Sequence, residues 1–250
     1  MTTNILLIIL SVCSYLFGNI NWALIISKFK KGDIRTMGSG NPGTLNMSRN
    51  FGLKIGLLTF FLDVLKGALP TLVAFFVFSN RSFDGTLFRV ADFAIYLCGL
   101  SVVLGHIYPV FLKFKGGKGI ASTIGVLVVC ESVNGLAWAL VCVMALVCAV
   151  VFIYFTEFGA MGSFIAITPS VVAGGIRLFL KYSHLQDFNT TVIYVLTSML
   201  IMLLCFFTWF AHRKNIQRML SGEEHPTSIK QMIVKARLKK EEQKKNQELN

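Results

Sequence analysis

The sequence predicts an all-α integral membrane protein, a bundle of seven transmembrane helices with its N-terminus out and its C-terminus in. Three observations carry that reading. First, 54% of the 250 residues are hydrophobic, 14% are charged and the mean hydropathy is +0.67, whereas a soluble domain carries about 25% charged residues. Second, the apolar residues fall into seven runs separated by polar loops, and a helix crosses the hydrocarbon core with roughly 20 apolar residues. Third, segments 27–54, 105–119, 156–163 and 212–250 hold 19 lysines and arginines, and the opposite side holds four, Arg81, Arg89, Arg177 and Lys181. Basic loops stay on the cytoplasmic side, which orients the bundle.

Span one is 5–26. Met1-Thr2-Thr3-Asn4 supplies no basic region and no cleavage site follows, so a retained helix is expected rather than a signal peptide. Gly18, Asn19 and Asn21 are polar for lipid and predict a face turned into the bundle. The loop 27–54 contains Gly-Ser-Gly-Asn-Pro-Gly at 38–43, a turn signal. Span two, 55–78, carries Asp63 and Lys66 on one helical face, either a functional charge site or a structural ion pair. Span three is 90–104, with Asp92 at its start. Span four, 120–130, is brief for a full crossing unless it tilts or the bilayer thins around it. Spans five, six and seven are 136–155, 164–179 and 190–211, with a kink predicted at Pro169. Domain boundaries follow: a membrane domain 1–211, a polar segment 212–224, and a Lys/Glu-rich tail 225–250, read as a surface helix or as disorder.

Composition excludes several functions. The net charge of +12 sits beside apolar runs, as anionic lipid headgroups favour, and forms no basic face interleaved with exposed aromatics, so nucleic acid is not an expected partner. Cys13, Cys98, Cys130, Cys142, Cys148 and Cys205 form no C-x-x-C pair and read as small buried hydrophobes; neither a metal nor another cofactor is expected.

Four loop clusters carry chemistry. Around 33–49, Ser39, Asn41 and Asn46 offer neutral hydrogen bonds and Arg49 a planar fork suited to phosphate. Between spans three and four, His106, Lys113, Lys115, Gly116, Gly117 and Lys118 make a glycine–lysine loop. Glycine allows close backbone approach, and amides at the start of the next helix can face an anion. The alternative is a basic loop that only anchors the chain. At 156–163 a compact turn ends in Ser163, which alone reads as a helix–helix connection. After span seven, His212, Asn215 and Arg218 recur every three residues, a polar stripe if the helix continues or a basic stop if it does not.

Taken together, G-S-G-N-x-G-x-x-N-x-x-R, G-H-x-x-P-x-F-x-x-F-K-G-G-K-G-x-A-S, T-x-F-x-x-x-G-S and H-R-x-N-I-x-R-x-x-x-G-x-E resemble the bacterial acyl-phosphate-dependent glycerol-3-phosphate acyltransferase family called PlsY. The resemblance covers about residues 5–224. It implies a multi-pass enzyme of the bacterial cell membrane that transfers an acyl group from acyl phosphate to the 1-hydroxyl of sn-glycerol 3-phosphate. The products are lysophosphatidic acid and phosphate, and the step begins phospholipid synthesis. It also implies an upstream enzyme that makes acyl phosphate. By the same resemblance, Ser39 and Arg49 grip glycerol phosphate, Lys118 with Lys115 binds phosphate, and Ser163, His212 and Asn215 complete the catalytic pocket. Asn41, Asn46, Gly116 and Gly117 join the phosphate-binding set, and His106 is a motif residue of open role. The proton acceptor is either His212 or a phosphate oxygen of the substrate. Two positions depart from the family pattern: Thr44-Leu45 stands where Ala-Thr precedes the asparagine, and Glu157 where a basic residue follows the threonine. Competing readings are a small anion transporter or channel, and an acyltransferase with another phosphorylated acceptor. A transporter is expected to show an internal repeat or polar groups at midplane, whereas the polar clusters here collect on one side.

Overall fold

The computed structural model describes residues 2–185, 187–223, 227, 230, 231, 233, 234, 237 and 238. Among them the regular structure is helical, apart from one isolated antiparallel bridge between Ser82 and Arg89. The named α-helices are α1 (Thr3–Gly18), α2 (Trp22–Phe29), α3 (Thr44–Phe51), α4 (Leu53–Phe78), α5 (Val90–Ile107), α6 (Ile120–Ser132), α7 (Leu136–Thr156), α8 (Gly159–Tyr182), α9 (Phe188–Ala211) and α10 (Arg213–Leu220).

Six stretches are long and apolar enough to cross a membrane: Thr3–Phe29, Leu53–Phe78, Val90–Leu112, Leu136–Thr156, Gly159–Tyr182 and Phe188–Ala211. They correspond to six of the seven expected spans. The fourth expected span is α6, whose 13 residues reach about 20 Å at 1.5 Å per residue, short of the roughly 30 Å hydrocarbon core. Among the described residues the seven expected spans thus appear as six long helices and one short one.

The first span is also not one rod. It breaks between Gly18 and Trp22, where Asn21 Oδ1 accepts from Leu24 N–H at 3.0 Å and caps α2. The break frees the Ile20 carbonyl, which accepts from Lys66 Nζ at 2.7 Å. Asn19 Oδ1 accepts from Phe111 N–H at 3.3 Å, which ties the break to the segment after α5. The polar face expected at Gly18, Asn19 and Asn21 thus does point inward.

Helix α5 is the most enclosed of the long spans, and its buried side chains from Ile95 to Ile107 form the heart of the main core with Val126, Leu127, Ile167 and Leu204. Close crossings are set by small residues. A Cβ on Gly18 would stand 2.3 Å from the Val102 carbonyl oxygen, and one on Gly125 2.0 Å from that of Val64. In lipid, such backbone contact replaces the hydrophobic drive between helices. Leu140, Val143, Met144, Val147 and Val150 of α7 are exposed, a face that lipid covers without cost. Pro169 lies inside α8, which continues through it.

Candidate active site

The polar loops at one end of the bundle surround a cavity of about 380 Å³. Its polar lining comes from all four sequence clusters: Ser39, Asn41, Asn46 and Arg49; His106 and Lys118; Ser163; and His212, Asn215 and Arg218. An apolar arm runs on between Leu57, Phe60, Ile124, Leu146, Val150 and Ile153, from α4, α6 and α7.

The first loop is built on Asn46. Its amide nitrogen donates to the Met37 carbonyl at 2.9 Å and to that of Ile34 at 3.3 Å, and its Oδ1 accepts from Ser39 N–H at 3.2 Å and Asn50 Nδ2 at 3.0 Å. Buried to 2% exposure with its amide engaged, Asn46 organises the loop and presents Ser39.

The glycine–lysine loop is held down by its own backbone. Lys113 and Phe114 both take left-handed φ, at 53° and 59°, and turn the chain back on itself. Gly116 N–H then donates to the Ile107 carbonyl and Gly117 N–H to that of His106, both at 3.1 Å. A Cβ on Gly117 would stand 2.2 Å from His106 Nε2, so only glycine fits there. These two amides, expected to face phosphate, are committed here to the end of α5, and the turn they close brings Lys118 inward. The turn leaves Lys115 exposed and outside the cavity lining.

Lys118 Nζ donates to Asn215 Oδ1 at 2.5 Å, joining the second cluster to the fourth. His212 is the joint between α9 and α10 rather than part of one continuous helix, while Asn215 and Arg218 follow on α10. Its Nδ1 lies 2.9 Å from the Thr208 carbonyl, an acceptor, so Nδ1 carries the hydrogen and Nε2 keeps its lone pair. Burial, and then the Lys118 cation beside it, push the His212 pKa down to about 4. Ser163 Oγ donates to the Gly159 carbonyl at 2.9 Å, leaving its oxygen able to accept.

Asp63, Lys66 and His106 form a buried cluster against the cavity. Lys66 Nζ sits 3.1 Å from Asp63 Oδ1 and 2.7 Å from His106 Nδ1. An ammonium has hydrogens only to donate, so His106 accepts at Nδ1 and holds its hydrogen on Nε2, next to Gly117. The spacing of Asp63 and Lys66 foretold their pairing, but not His106, which is 40 residues further on. Sequence reasoning also missed Thr227, whose hydroxyl accepts from Arg49 Nη2 at 2.7 Å and which lines the cavity. Of the two departures from the family pattern, Thr44 and Leu45 line the cavity and Glu157 does not.

Electrostatically the cavity is cationic. Arg49, Lys118 and Arg218 line it and, among the described residues, one carboxylate does, Asp63, which pairs with Lys66. Such a lining favours an anionic headgroup, and the apolar arm favours an alkyl chain.

Residues 8–222 match the family model described as glycerol-3-phosphate acyltransferase. The chain belongs to that family. A glycerol-3-phosphate acyltransferase of Mycoplasmopsis pulmonis is 37% identical over 223 residues, 88% of this chain and 93% of that protein. One from Finegoldia magna is 35% identical over 219 residues, 87% and 94% of the two chains. Two crystal structures of PlsY, an integral membrane glycerol 3-phosphate acyltransferase, superpose on the fold. The glycerol 3-phosphate form has a TM-score of 0.64 at 30% identity, and the lysophosphatidic acid form 0.67 at 29%; each alignment covers 91% of this chain and 98% of the other. This member of the acyltransferase family is a multi-pass membrane protein.

Proposed function

We propose that this protein transfers an acyl group from acyl phosphate to the 1-hydroxyl of sn-glycerol 3-phosphate, at the cytoplasmic face of a bacterial cell membrane. The products are 1-acyl-glycerol 3-phosphate and inorganic phosphate. The observation that carries the reading is the single cavity in which Ser39, Arg49, Lys118, Ser163, His212 and Asn215 meet at the cationic end of an apolar channel. The family names of the relatives support the acceptor.

Acyl phosphate is a mixed anhydride, already activated, so the site needs no covalent nucleophile; among the described residues no cysteine lines the cavity. The work is to hold two phosphorylated molecules together and aim one hydroxyl, a task of proximity and charge stabilisation. Arg49, with Ser39, holds the acceptor phosphate. Lys118, steadied by Asn215, neutralises the donor phosphate as its bond to the acyl carbon breaks. The hydroxyl oxygen attacks that carbon, the carbon–oxygen bond to phosphate cleaves, and the hydroxyl proton leaves. With a pKa near 4, His212 is a weaker base than a phosphate dianion, whose second pKa is about 6. A phosphate oxygen therefore takes the proton, and His212 Nε2 accepts from the neighbouring 2-hydroxyl, which orients the glycerol. The reading also requires an enzyme upstream that supplies acyl phosphate.

Purified protein given palmitoyl phosphate and labelled glycerol 3-phosphate is expected to yield labelled lysophosphatidic acid and free phosphate. Product from palmitoyl-CoA alone would reassign the donor. Product only with a different phosphorylated acceptor would reassign the acceptor.

A further inference from the structure

Thr227 lies beyond residue 222, where the family match ends, yet it is 3% exposed. Its surroundings seat it firmly. The backbone N–H donates to the Glu157 carbonyl at 2.7 Å. The hydroxyl oxygen accepts from Arg49 Nη2 at 2.7 Å. A Cβ on Gly159 would stand 2.7 Å from Thr227 Oγ1 and 3.2 Å from Leu45 Cδ1, so Thr227 and Leu45 close over the same glycine at the start of α8. Three residues on, Lys230 Nζ stands 4.9 Å from the Tyr154 ring centroid and 5.9 Å from that of Phe155, a cation–π anchor on the end of α7. Thr227 therefore contributes a hydroxyl to the cavity lining.

A hydroxyl that accepts from a guanidinium is polarised by it and becomes a better donor through its own hydrogen. That hydrogen cannot point at Arg49, which has only donors. The geometry points to Thr227 as a substrate-contacting residue: its hydroxyl, set on Arg49, donates to the phosphate of the bound acceptor and fixes the guanidinium that grips the same group. The inference rests on the reading that this cavity takes glycerol 3-phosphate. It adds to the family's motifs a polar contact from a segment outside the family match.

Steady-state kinetics of the purified full-length protein test it, with glycerol 3-phosphate varied at saturating palmitoyl phosphate. Thr227→Val keeps the shape and removes the hydroxyl. It is expected to raise KM for glycerol 3-phosphate about tenfold, the usual worth of a hydrogen bond to a charged group, with KM for palmitoyl phosphate and the thermal midpoint unchanged. Thr227→Ser is expected to restore the wild-type KM. Lys230→Ala, which loosens the anchor, is expected to raise it about threefold. An unchanged KM in Thr227→Val would make the residue a bystander, and a lower one would make it a plug competing with substrate; either overturns the proposal. The wild-type arm reports separately on the parent reading: no turnover of glycerol 3-phosphate there removes the acceptor assignment, and the Thr227 contact with it.

Discussion

At one end of α5, Asp92 and Tyr96 meet Glu131, Arg177, Lys181 and Tyr182; at the other, His106 faces the cavity lined by Arg49, Lys118 and Arg218. The ten residues from Tyr96 to His106 separate these ends by about 15 Å of helix. In the first cluster every charge has a partner of opposite sign. Arg177 donates to Glu131 Oε2 at 3.3 Å and to the Tyr96 hydroxyl at 2.6 Å, while Lys181 and the Tyr182 hydroxyl donate to Asp92. None of these six residues lines the cavity at the other end. In the second, Arg49, Lys118 and Arg218 line a cavity that, among the described residues, has one carboxylate on its lining, Asp63, paired with Lys66. Charges neutralised within the protein clamp helices together. Cations gathered on the lining of a cavity make it one that favours an anionic ligand. The same residue types thus serve stability at one end and chemistry at the other, and the presence of a cavity tells them apart.

Arg177→Met tests the first half of that contrast. It leaves Glu131 buried without its cation and is expected to cost about 3–5 kcal/mol of stability, read as a large fall in the thermal midpoint, while turnover per folded molecule stays within about twofold. A stable but inactive variant would move Arg177 into the chemistry. Lys118→Ala is the mirror image: a loss of about 10²–10³ in kcat at an almost unchanged thermal midpoint. Wild-type rates in that variant would remove the glycine–lysine loop from the site.

Next in size is the pH dependence of His212. Its folded pKa is about 4, against about 6.5 in an unfolded chain. As pH falls below 6.5 the unfolded state takes up a proton that the folded state refuses. Stability is therefore full above about pH 7 and drops through the window down to pH 4, by about 3 kcal/mol in all. His212→Gln should flatten that slope in thermal midpoints measured against pH; an identical slope would assign it to other groups. The smallest effect is expected for Lys115→Ala. Exposed and outside the cavity lining, it should change kcat/KM less than about twofold, as surface substitutions generally do, and a tenfold loss would place it in the site after all.

What the sequence made legible follows from the range of each signal. Hydropathy runs locate the long helices because lipid imposes one length on all of them, and the same rule marked 120–130 as too short. The i, i+3 spacing paired Asp63 with Lys66. The break at 18–22 escaped notice because its cause is tertiary: Lys66 and Phe111 compensate the backbone and side-chain groups it exposes. Among the clustered lysines, spacing alone could not say which one turns inward. Left-handed backbone at Lys113 and Phe114 decides that, at residues with no intrinsic preference for it. Thr227 was invisible for a simpler reason: a lone threonine in a polar tail has no periodicity, and only the fold brings it to Arg49.

Helix α6 enters at the floor of the cavity with Gly119 and Ile120 and ends after 13 residues. Most of its residues are buried against the neighbouring helices, so its shortness leaves a recess on the loop side, through which the aqueous phase reaches the reaction centre. On the proposed reaction, a long-chain donor can then keep its tail dissolved among the lipids while its head group meets a water-soluble acceptor partway down. Neither molecule has to change phase, and the product is released already embedded in the leaflet it will help to build.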